Sequence, residues 1–108
     1  MNALTVPGLP PFDPAAALPL RLACRRGWIV GDRGQRVNPL AVQRWCKRGC
    51  QVVEGGVRYR FPGLKQRRQW MTTETWCEAW RLLVMRVRAA EARRQLEEFR
   101  ASMMVWAG

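Results

Sequence analysis

The fold is decided by residues 37–50, which read VNPLAVQRWCKRGC. Asn38 is a favoured N-cap, and Pro39 is pre-organised for the first position of a helix. Gly49 provides the signal that commonly ends a helix. These features together predict a helix of about ten residues, from Pro39 to Arg48.

The residues of this helix separate into two faces. An apolar stripe at the spacing i, i+3, i+4, i+7 should face the core, and it consists of Val42, Trp45, Cys46 and Gly49. The same spacing recurs on a polar face, which consists of Leu40, Gln43, Arg44 and Lys47, with Arg48 beside it. Its polar side chains can donate hydrogen bonds to base edges or to phosphates. For one helix taken alone, a solvated basic face is the alternative interpretation.

Two strand-like runs follow the helix, over residues 50–53 and 57–64, with the turn signal Glu54-Gly55-Gly56 between them. In the second run apolar residues alternate with arginines, so the two sets should lie on opposite faces of a strand. The apolar set is Val57, Tyr59 and Phe61, and the basic set is Arg58 and Arg60. Pro62 cannot donate a ladder hydrogen bond, which limits the far end of the strand to a sheet edge.

A basic tip, Lys65-Gln66-Arg67-Arg68, precedes the return of the chain through residues 69–71. A helix followed by a hairpin with a basic tip is typical of the winged helix-turn-helix fold. We therefore predict a mainly α fold with a small β-hairpin wing. Helix 39–48 would enter the major groove of DNA, and wing 57–71 would contact the backbone or the minor groove. The candidate DNA-binding residues are Leu40, Gln43, Arg44, Lys47, Arg48, Arg58, Arg60, Lys65, Arg67 and Arg68.

The charge of the chain is concentrated in its middle part. The 108 residues include 19 Lys and Arg against 8 Asp and Glu, a net charge of +11. Residues 19–70 alone carry +11, whereas residues 1–18 carry −1 and residues 71–108 carry +1. A localised excess of this kind favours a polyanionic partner, either nucleic acid or an anionic membrane surface. Because no apolar run could span a bilayer and no secretion signal begins the chain, we expect a cytoplasmic protein without a membrane partner.

Composition argues against an enzyme and against a metal site. The chain has no His, which is the commonest general base and metal ligand, and its carboxylates are scarce. The four cysteines lack paired C-x2-C knuckles, so neither a zinc site nor a cofactor is predicted for them: Cys24, Cys46, Cys50 and Cys77. Cys46 and Cys50 are expected on the core side of the domain. Four tryptophans are likewise expected in the core and not stacked on bases: Trp45, Trp70, Trp76 and Trp80.

Residues 37–50 resemble the recognition helix of MerR-type and excisionase-type winged helix proteins. Those proteins combine a capping residue, Arg-Trp near the helix end, and then Gly and a small apolar residue. Residues 58–61 and 70–74 are similar to the wing of that family and the start of its next helix. The resemblance extends over roughly residues 19–82 of the single domain that this length allows.

The resemblance implies a role for individual side chains. Gln43, Arg44 and Lys47 would face DNA, whereas Trp45 would be a core residue. The chain departs from the family at the tip of the wing, where Arg67-Arg68 stands in place of the Gly of many relatives.

A long helix is predicted after Thr72 or Thr73, either of which can cap it, because no Pro or Gly follows until Gly108. Its early residues form a seam that should pack on the preceding domain, namely Trp76, Trp80, Leu83 and Val87. A second seam has the 3-4 spacing of a coiled coil and consists of Leu82, Met85, Ala89, Ala92, Leu96, Phe99, Met103 and Trp106.

One chain of this size cannot bury the second seam, so a homodimer through this helix is predicted. Arginines at the flanking e and g positions would oppose one another in a self-pair: Arg81, Arg86, Arg88, Arg93 and Arg100. Glu91, Glu97 and Glu98 can offset part of this charge. A helix folded back on its own domain, or a different partner with acidic flanks, are the alternatives.

The chain thus divides into three parts. Residues 1–18 form a Pro-rich arm that is expected to be extended and flexible, with Leu9 and Phe12 able to dock on the body. Residues 19–81 form the DNA-binding domain, and residues 82–108 form the heptad helix for dimerisation or partner binding.

We therefore predict a sequence-specific double-stranded DNA-binding protein of the excisionase or small transcriptional regulator type. It would bind as a dimer and recruit a recombinase or a polymerase, in DNA recombination or transcription regulation. A viral small-terminase-like subunit that marks DNA is an alternative with the same fold. A protein–protein adaptor or an RNA-binding protein that acts through the long helix is the alternative from a different class.

Overall fold

The computed structural model describes the backbone of residues 2–107 and the side chains of residues 2–104. Its elements in chain order are β1 (Leu18–Pro19), α1 (Leu20–Arg25), α2 (Pro39–Arg48), β2 (Cys50–Gln51), β3 (Arg58–Tyr59), β4 (Leu64–Gln66), β5 (Gln69–Thr72) and α3 (Glu74–Ala107). Three helices and two small antiparallel sheets make a mixed α/β fold with a long helix at its C-terminal end. Within the described part of the chain, no helix has the length and apolar character needed to cross a membrane.

Helix α2 has the boundaries that its end signals predicted. Asn38 caps it, because the Asn38 Oδ1 accepts a hydrogen bond of 2.9 Å from the Leu40 backbone N–H. Gly49 ends the helix with a φ of 87°, which L side chains rarely adopt. A Cβ at Gly49 would also come within 2.7 Å of the Cβ of Ala3. Glycine is therefore required here both for its backbone conformation and for the space beside it.

The strands form two separate sheets. Strand β2 pairs antiparallel with β3, with Cys50 opposite Tyr59. The other sheet has the order β1-β5-β4, and both of its pairs are antiparallel. The single strand predicted over 57–64 is therefore wrong, since β3 ends at Tyr59 and β4 begins at Leu64. Pro62 explains the break, because it has no N–H for a ladder; its carbonyl accepts a hydrogen bond from the Thr72 hydroxyl at 2.9 Å.

The hydrophobic core lies where α1, α2 and the first turns of α3 meet. Ala23 and Val42 are fully buried, and Phe61 is only 2% exposed. The Trp80 ring contacts Phe61 edge-on at a centroid distance of 5.3 Å and stacks on Trp45 at 6.0 Å. The tryptophans expected in the core are confirmed there: Trp76 and Trp80 are buried, and Trp45 and Trp70 are half-buried against the core cluster.

One detail of the core differs from the sequence prediction, and one residue without a prediction is now placed. Val57 is 54% exposed although it was expected to share a face with Phe61, because β3 begins only at Arg58 and Val57 lies in the preceding loop. Trp28, which the sequence left unassigned, is half-buried against the core cluster, with the Arg26 guanidinium 5.9 Å from its ring centroid.

The four cysteines form no disulfide with one another, and three of them are buried. Cys24, Cys46 and Cys77 are buried, and Cys50 is half-buried against the core cluster, which confirms the predicted core position of Cys46 and Cys50. Burial raises the pKa of Cys46 to about 12, and the neighbouring Cys77 adds to the increase. Burial likewise raises the pKa of Cys77 to about 12. Within the described residues, no three His, Cys, Asp or Glu side chains lie together as a metal site would require.

The N-terminal arm lies in an extended conformation against β3. The Leu4 N–H donates to the Arg58 carbonyl at 2.9 Å, and the Leu4 carbonyl accepts from the Arg60 N–H at 2.8 Å. Two residues further along the arm, Val6 is 6% exposed and belongs to the core. The start of the arm is thus paired with the two-stranded sheet.

The middle of the arm docks on α3. Leu9 packs against the core cluster, and the Phe12 ring lies 5.2 Å from the Trp76 ring. The Trp76 Nε1–H also donates a hydrogen bond of 2.8 Å to the Pro10 carbonyl. These contacts place Leu9 and Phe12 on the body of the protein, and they anchor an arm that its sequence predicted to be flexible.

Helix α3 continues for 34 residues without a break. Of the two candidate caps it uses Thr73, whose hydroxyl accepts a hydrogen bond of 3.1 Å from the Trp76 N–H. The first seam packs on the body as predicted, with Trp76, Trp80 and Leu83 buried and Val87 half-buried. Beyond Arg88 the helix projects from the body and gives the molecule a longest dimension of 63 Å. This geometry excludes a helix folded back on its own domain.

Candidate nucleic-acid interface

The polar face of α2 is directed away from the core. Arg44, Lys47 and Arg48 are exposed, Leu40 is 65% exposed, and Gln43 is half-buried. None of the three cations takes part in the ion pairs that the described residues form. Their charges are therefore available to an external polyanion.

The hairpin formed by β4 and β5 ends in a two-residue turn made of Arg67 and Arg68. Gln66 pairs with Gln69 on either side of this turn. Both arginines have positive φ, 48° at Arg67 and 78° at Arg68. This is the pattern of a type I′ turn, in which Asn-Gly is the favoured pair. Non-glycine residues in this region cost about 1–3 kcal/mol each, and such strain is concentrated at functional sites.

The tip of this hairpin lies beside the polar face of α2. Arg68 and Gln43 line one shallow depression of about 210 Å³, together with Arg21 of α1. Predicted site residues that are 25 positions apart in sequence are thus brought to the same side of the molecule. The surface around this depression, defined by Arg21, Gln43, Arg44, Lys47 and Arg68, is the candidate interface.

Arg21 is a member of the interface that sequence reasoning missed. Helix α1 buries Leu20, Ala23 and Cys24, which leaves Arg21 and Arg25 exposed on its other side. That spacing was readable, since i, i+3, i+4 apolar positions define a buried stripe. The spacing could not show which other part of the chain lies beside this exposed side.

Arg58 and Arg60 do not belong to the basic hairpin in which the sequence placed them. They lie on or beside β3, which pairs with β2 and with the N-terminal arm. The Arg58 Nη1–H reaches the Gly49 carbonyl at 3.5 Å, close to the end of α2. The hairpin with the basic tip begins at Leu64 and not at Val57, because Pro62 separates β3 from β4. Lys65, Arg67 and Arg68 remain as its exposed cations.

No described residue of the second seam of α3 lines the depression at the candidate interface. The described long side chains of this seam are 46 to 63% exposed, namely Leu82, Met85, Leu96, Phe99 and Met103. Ala89 and Ala92 are exposed as well, and the Trp106 side chain lies outside the described residues.

The chain was compared with models of protein families, with curated proteins and with solved structures, and none of these comparisons found a match. The resemblance of residues 37–50 to MerR-type and excisionase-type proteins therefore stays a prediction. The chemistry that the site offers is binding, since its side chains supply hydrogen-bond donors and positive charge on one surface.

Replacing Arg67-Arg68 by Asn-Gly is expected to raise the free energy of unfolding by about 1–3 kcal/mol, because Asn and Gly adopt positive φ at lower cost. Urea denaturation monitored by tryptophan fluorescence measures the change. The matched control, Arg67→Gln with Arg68→Gln, removes the same charges but keeps two strained Cβ atoms, so its stability should stay within about 0.5 kcal/mol of the original chain. Equal stabilisation by both double variants would show that charge repulsion, and not backbone strain, is relieved.

Proposed function

We propose that the chain is a sequence-specific double-stranded DNA-binding protein with a winged helix-turn-helix domain. In this proposal α2 is the recognition helix and the β4–β5 hairpin is the wing. The observation that carries it is the shared depression of Gln43 and Arg68, because a recognition helix and a wing must reach one duplex together. The net charge of +11 over residues 19–70 supports a polyanionic partner for this surface.

The dimensions of α2 suit the major groove. A ten-residue helix is about 15 Å long, and the major groove is about 12 Å wide, so the helix can lie within it. Its polar side chains would then meet the base edges. Arg44 can donate two hydrogen bonds to guanine, and Gln43 can pair in the same way with adenine. Lys47 lies one turn of α2 after Gln43 and could bind a guanine or a phosphate.

The base of the proposed wing is joined to α1 through a shared sheet. Strand β5 pairs on one side with β4 and on the other with β1, with Leu18 opposite Thr72. Strand β1 runs directly into α1 at Leu20, so the base of the wing and the start of α1 are fixed to each other. This arrangement supports a wing that approaches the duplex at a defined distance from α2. Its tip arginines would contact the backbone or the minor groove beside the major-groove site.

The contacts divide into two kinds with different consequences for binding. Arg44 and Gln43 are the residues proposed to select sequence through base edges. Arg21, Lys65 and the tip arginines are proposed to hold phosphates, which strengthens binding to every sequence and makes it sensitive to salt.

The experiment that tests the proposal is selection from a pool of random duplex DNA at about 150 mM salt, followed by sequencing of the retained molecules. A specific reader enriches a defined motif. Salt-sensitive binding without an enriched motif would contradict sequence specificity and leave only a basic surface.

The variant Arg44→Ala is expected to lose about 1–3 kcal/mol of binding free energy on the enriched motif, which is about tenfold to more than a hundredfold in affinity. Fluorescence anisotropy with labelled duplex measures the change. The loss should be much smaller on unrelated duplex, because Arg44 would have no matching base to contact there.

The matched control for this variant is Arg93→Ala, which removes an exposed arginine of α3 beyond the last contact of that helix with the body. Its affinity for the motif should stay near that of the original chain. If the two variants lose the same affinity, net charge and not the face of α2 governs binding.

A further inference from the structure

The second seam of α3 is exposed along its described length and shares no residue with the candidate interface. Its long apolar side chains from Leu82 to Met103 are all more than two-fifths exposed. They recur at alternating steps of three and four residues, which places them in one stripe along a straight helix. A contiguous apolar stripe of this kind on a projecting helix marks an interface.

The two edges of this seam differ in charge. On one edge, Arg81 and Arg88 precede seam residues and are already paired within the chain. Arg81 pairs with Glu78, and the Arg88 Nη2 lies 2.6 Å from the Asp32 Oδ1. This edge is therefore largely neutralised by the chain itself.

The opposite edge carries Arg86, Arg93 and Arg100, each of which directly follows a seam residue. All three are exposed, and none of them is a member of the ion pairs among the described residues. Their seven-residue spacing separates them by about 10.5 Å along the helix. The result is a regular row of unpaired positive charge beside the apolar stripe.

A second copy of the chain is a poor occupant for this surface. In a parallel pair, Arg86 and Arg93 would oppose Arg81 and Arg88 of a second copy, because e positions face g positions five residues earlier. In an antiparallel pair with full overlap of the seams, Arg93 would face its own counterpart, and Arg86 would face Arg100. The antiparallel arrangement opposes unpaired arginines directly, and the parallel arrangement provides no free carboxylate for Arg86 and Arg93, so both leave the row without an opposite charge.

The body end of the seam offers additional apolar space. A cavity of about 430 Å³ lies between α3 and the loop after α1, and Trp28, Val30 and Val84 contribute to its walls. Met85 lines this cavity and is also a member of the seam. A helix lying along the seam could therefore place a large apolar side chain into the cavity at one end.

We infer that the exposed seam of α3 docks an amphipathic helix of a different protein, one that carries Asp or Glu at seven-residue spacing beside its own apolar seam. The apolar stripe supplies the contact area, and the row of Arg86, Arg93 and Arg100 selects an acidic partner. The homodimer predicted from the heptads alone is the competing occupant. This inference is independent of the DNA-binding proposal, because the two surfaces share no residue.

The test uses the full chain and three synthetic four-heptad peptides with identical Leu and Ile seams. The peptides carry Glu, Gln or Lys at every e and g position. Binding is followed by anisotropy of labelled peptide, and molar mass is followed by light scattering at micromolar concentration. We expect a monomeric chain that forms a one-to-one complex with the Glu peptide, with affinity more than about tenfold above that for the Lys peptide. The Gln peptide should lie between them.

Charge-removing variants separate the proposed row from general basicity. The triple variant Arg86→Gln, Arg93→Gln and Arg100→Gln should weaken binding of the Glu peptide about three- to tenfold. The control Arg94→Gln removes an arginine outside the row that already pairs with Glu91 and Glu98, and it should leave binding unchanged. Circular dichroism checks that both variants keep α3 helical.

The triple variant also has a second expected readout. Removal of the opposed arginines should increase self-association, so its molar mass should rise with concentration more than that of the original chain. A stable homodimer of the original chain would overturn the inference, because a second copy would then cover the seam. Equal affinity for the Glu and Lys peptides would overturn the selection by charge. Either outcome leaves the DNA measurements on Arg44 unaffected.

Discussion

Replacing Phe61 by Ala is expected to lower the free energy of unfolding by about 3–5 kcal/mol, the largest stability loss of any single substitution considered for this chain. Phe61 is 2% exposed, and its ring packs edge-on against Trp80 at a centroid distance of 5.3 Å. Its backbone N–H also donates to the Trp45 carbonyl at 3.2 Å, which holds the side chain near the end of α2. Removal of the ring leaves a cavity between α2 and α3 that a packed core cannot close. Urea denaturation measures the loss.

Two controls show whether burial is the cause. Phe61→Leu keeps much of the side-chain volume, so its loss of unfolding free energy should be less than about half that of Phe61→Ala. The Leu variant also allows a measurement if the Ala variant is unfolded. Val57→Ala shortens an apolar side chain that was predicted to share the face of Phe61 but is 54% exposed, so its effect should stay within about 0.5 kcal/mol. Comparable losses at Phe61 and Val57 would contradict the core described here.

The parts of the fold that could be predicted from sequence are those with local chemical signals. Asn38, Pro39 and Gly49 each have a physical preference for one position at a helix end, and α2 begins and ends accordingly. The cap of α3 by Thr73 follows from an equally local feature. In these segments the residues decide the structure without reference to distant parts of the chain.

The parts that could not be predicted depend on long-range pairing. Strand β1 has two residues and includes Pro19, so it shows no periodic pattern, and Pro usually argues against a strand. Its partner β5 lies about fifty positions later, and only the tertiary fold brings the two together. The same holds for the arm, whose prolines predict an extended chain but contain no information on its contacts with β3 and Trp76.

The candidate interface shows the same division. The periodicity of α2 identified its polar face correctly as the exposed one, because burial of Val42 and Cys46 leaves the other side in solvent. The turn signal Glu54-Gly55-Gly56 correctly joined β3 to β2, but the sequence wrongly continued the run of Arg58 and Arg60 into the basic hairpin. Arg68, Gln43 and Arg21 line one depression, and the hairpin that carries Arg68 belongs to the three-stranded sheet. The sequence carries no local signal for that sheet.

The stability of the protein is expected to decrease steeply as pH rises above about 9. Burial raises the pKa of both Cys46 and Cys77 to about 12 in the folded chain, whereas an unfolded cysteine has a pKa of about 8.5. The folded state therefore favours the neutral thiols, and the unfolded state releases two more protons in this range. The stabilisation is fully present below about pH 8.5 and is lost as pH approaches 12. With both thiols contributing, the slope approaches about 2.7 kcal/mol per pH unit.

Urea denaturation under reducing conditions, at intervals from about pH 7.5 to 10.5, measures this slope. The matched control is the double variant Cys46→Ala and Cys77→Ala, which loses some stability at neutral pH because two buried side chains become smaller. Its stability should depend less on pH; burial also raises the pKa of Cys24 and of Cys50, but these two thiols are present in both proteins and cancel in the comparison. An equal slope in the two proteins would show that groups other than these thiols govern alkaline unfolding. A smaller slope in the double variant would place the loss in the core beside Trp80, since these thiols and that ring belong to one buried cluster.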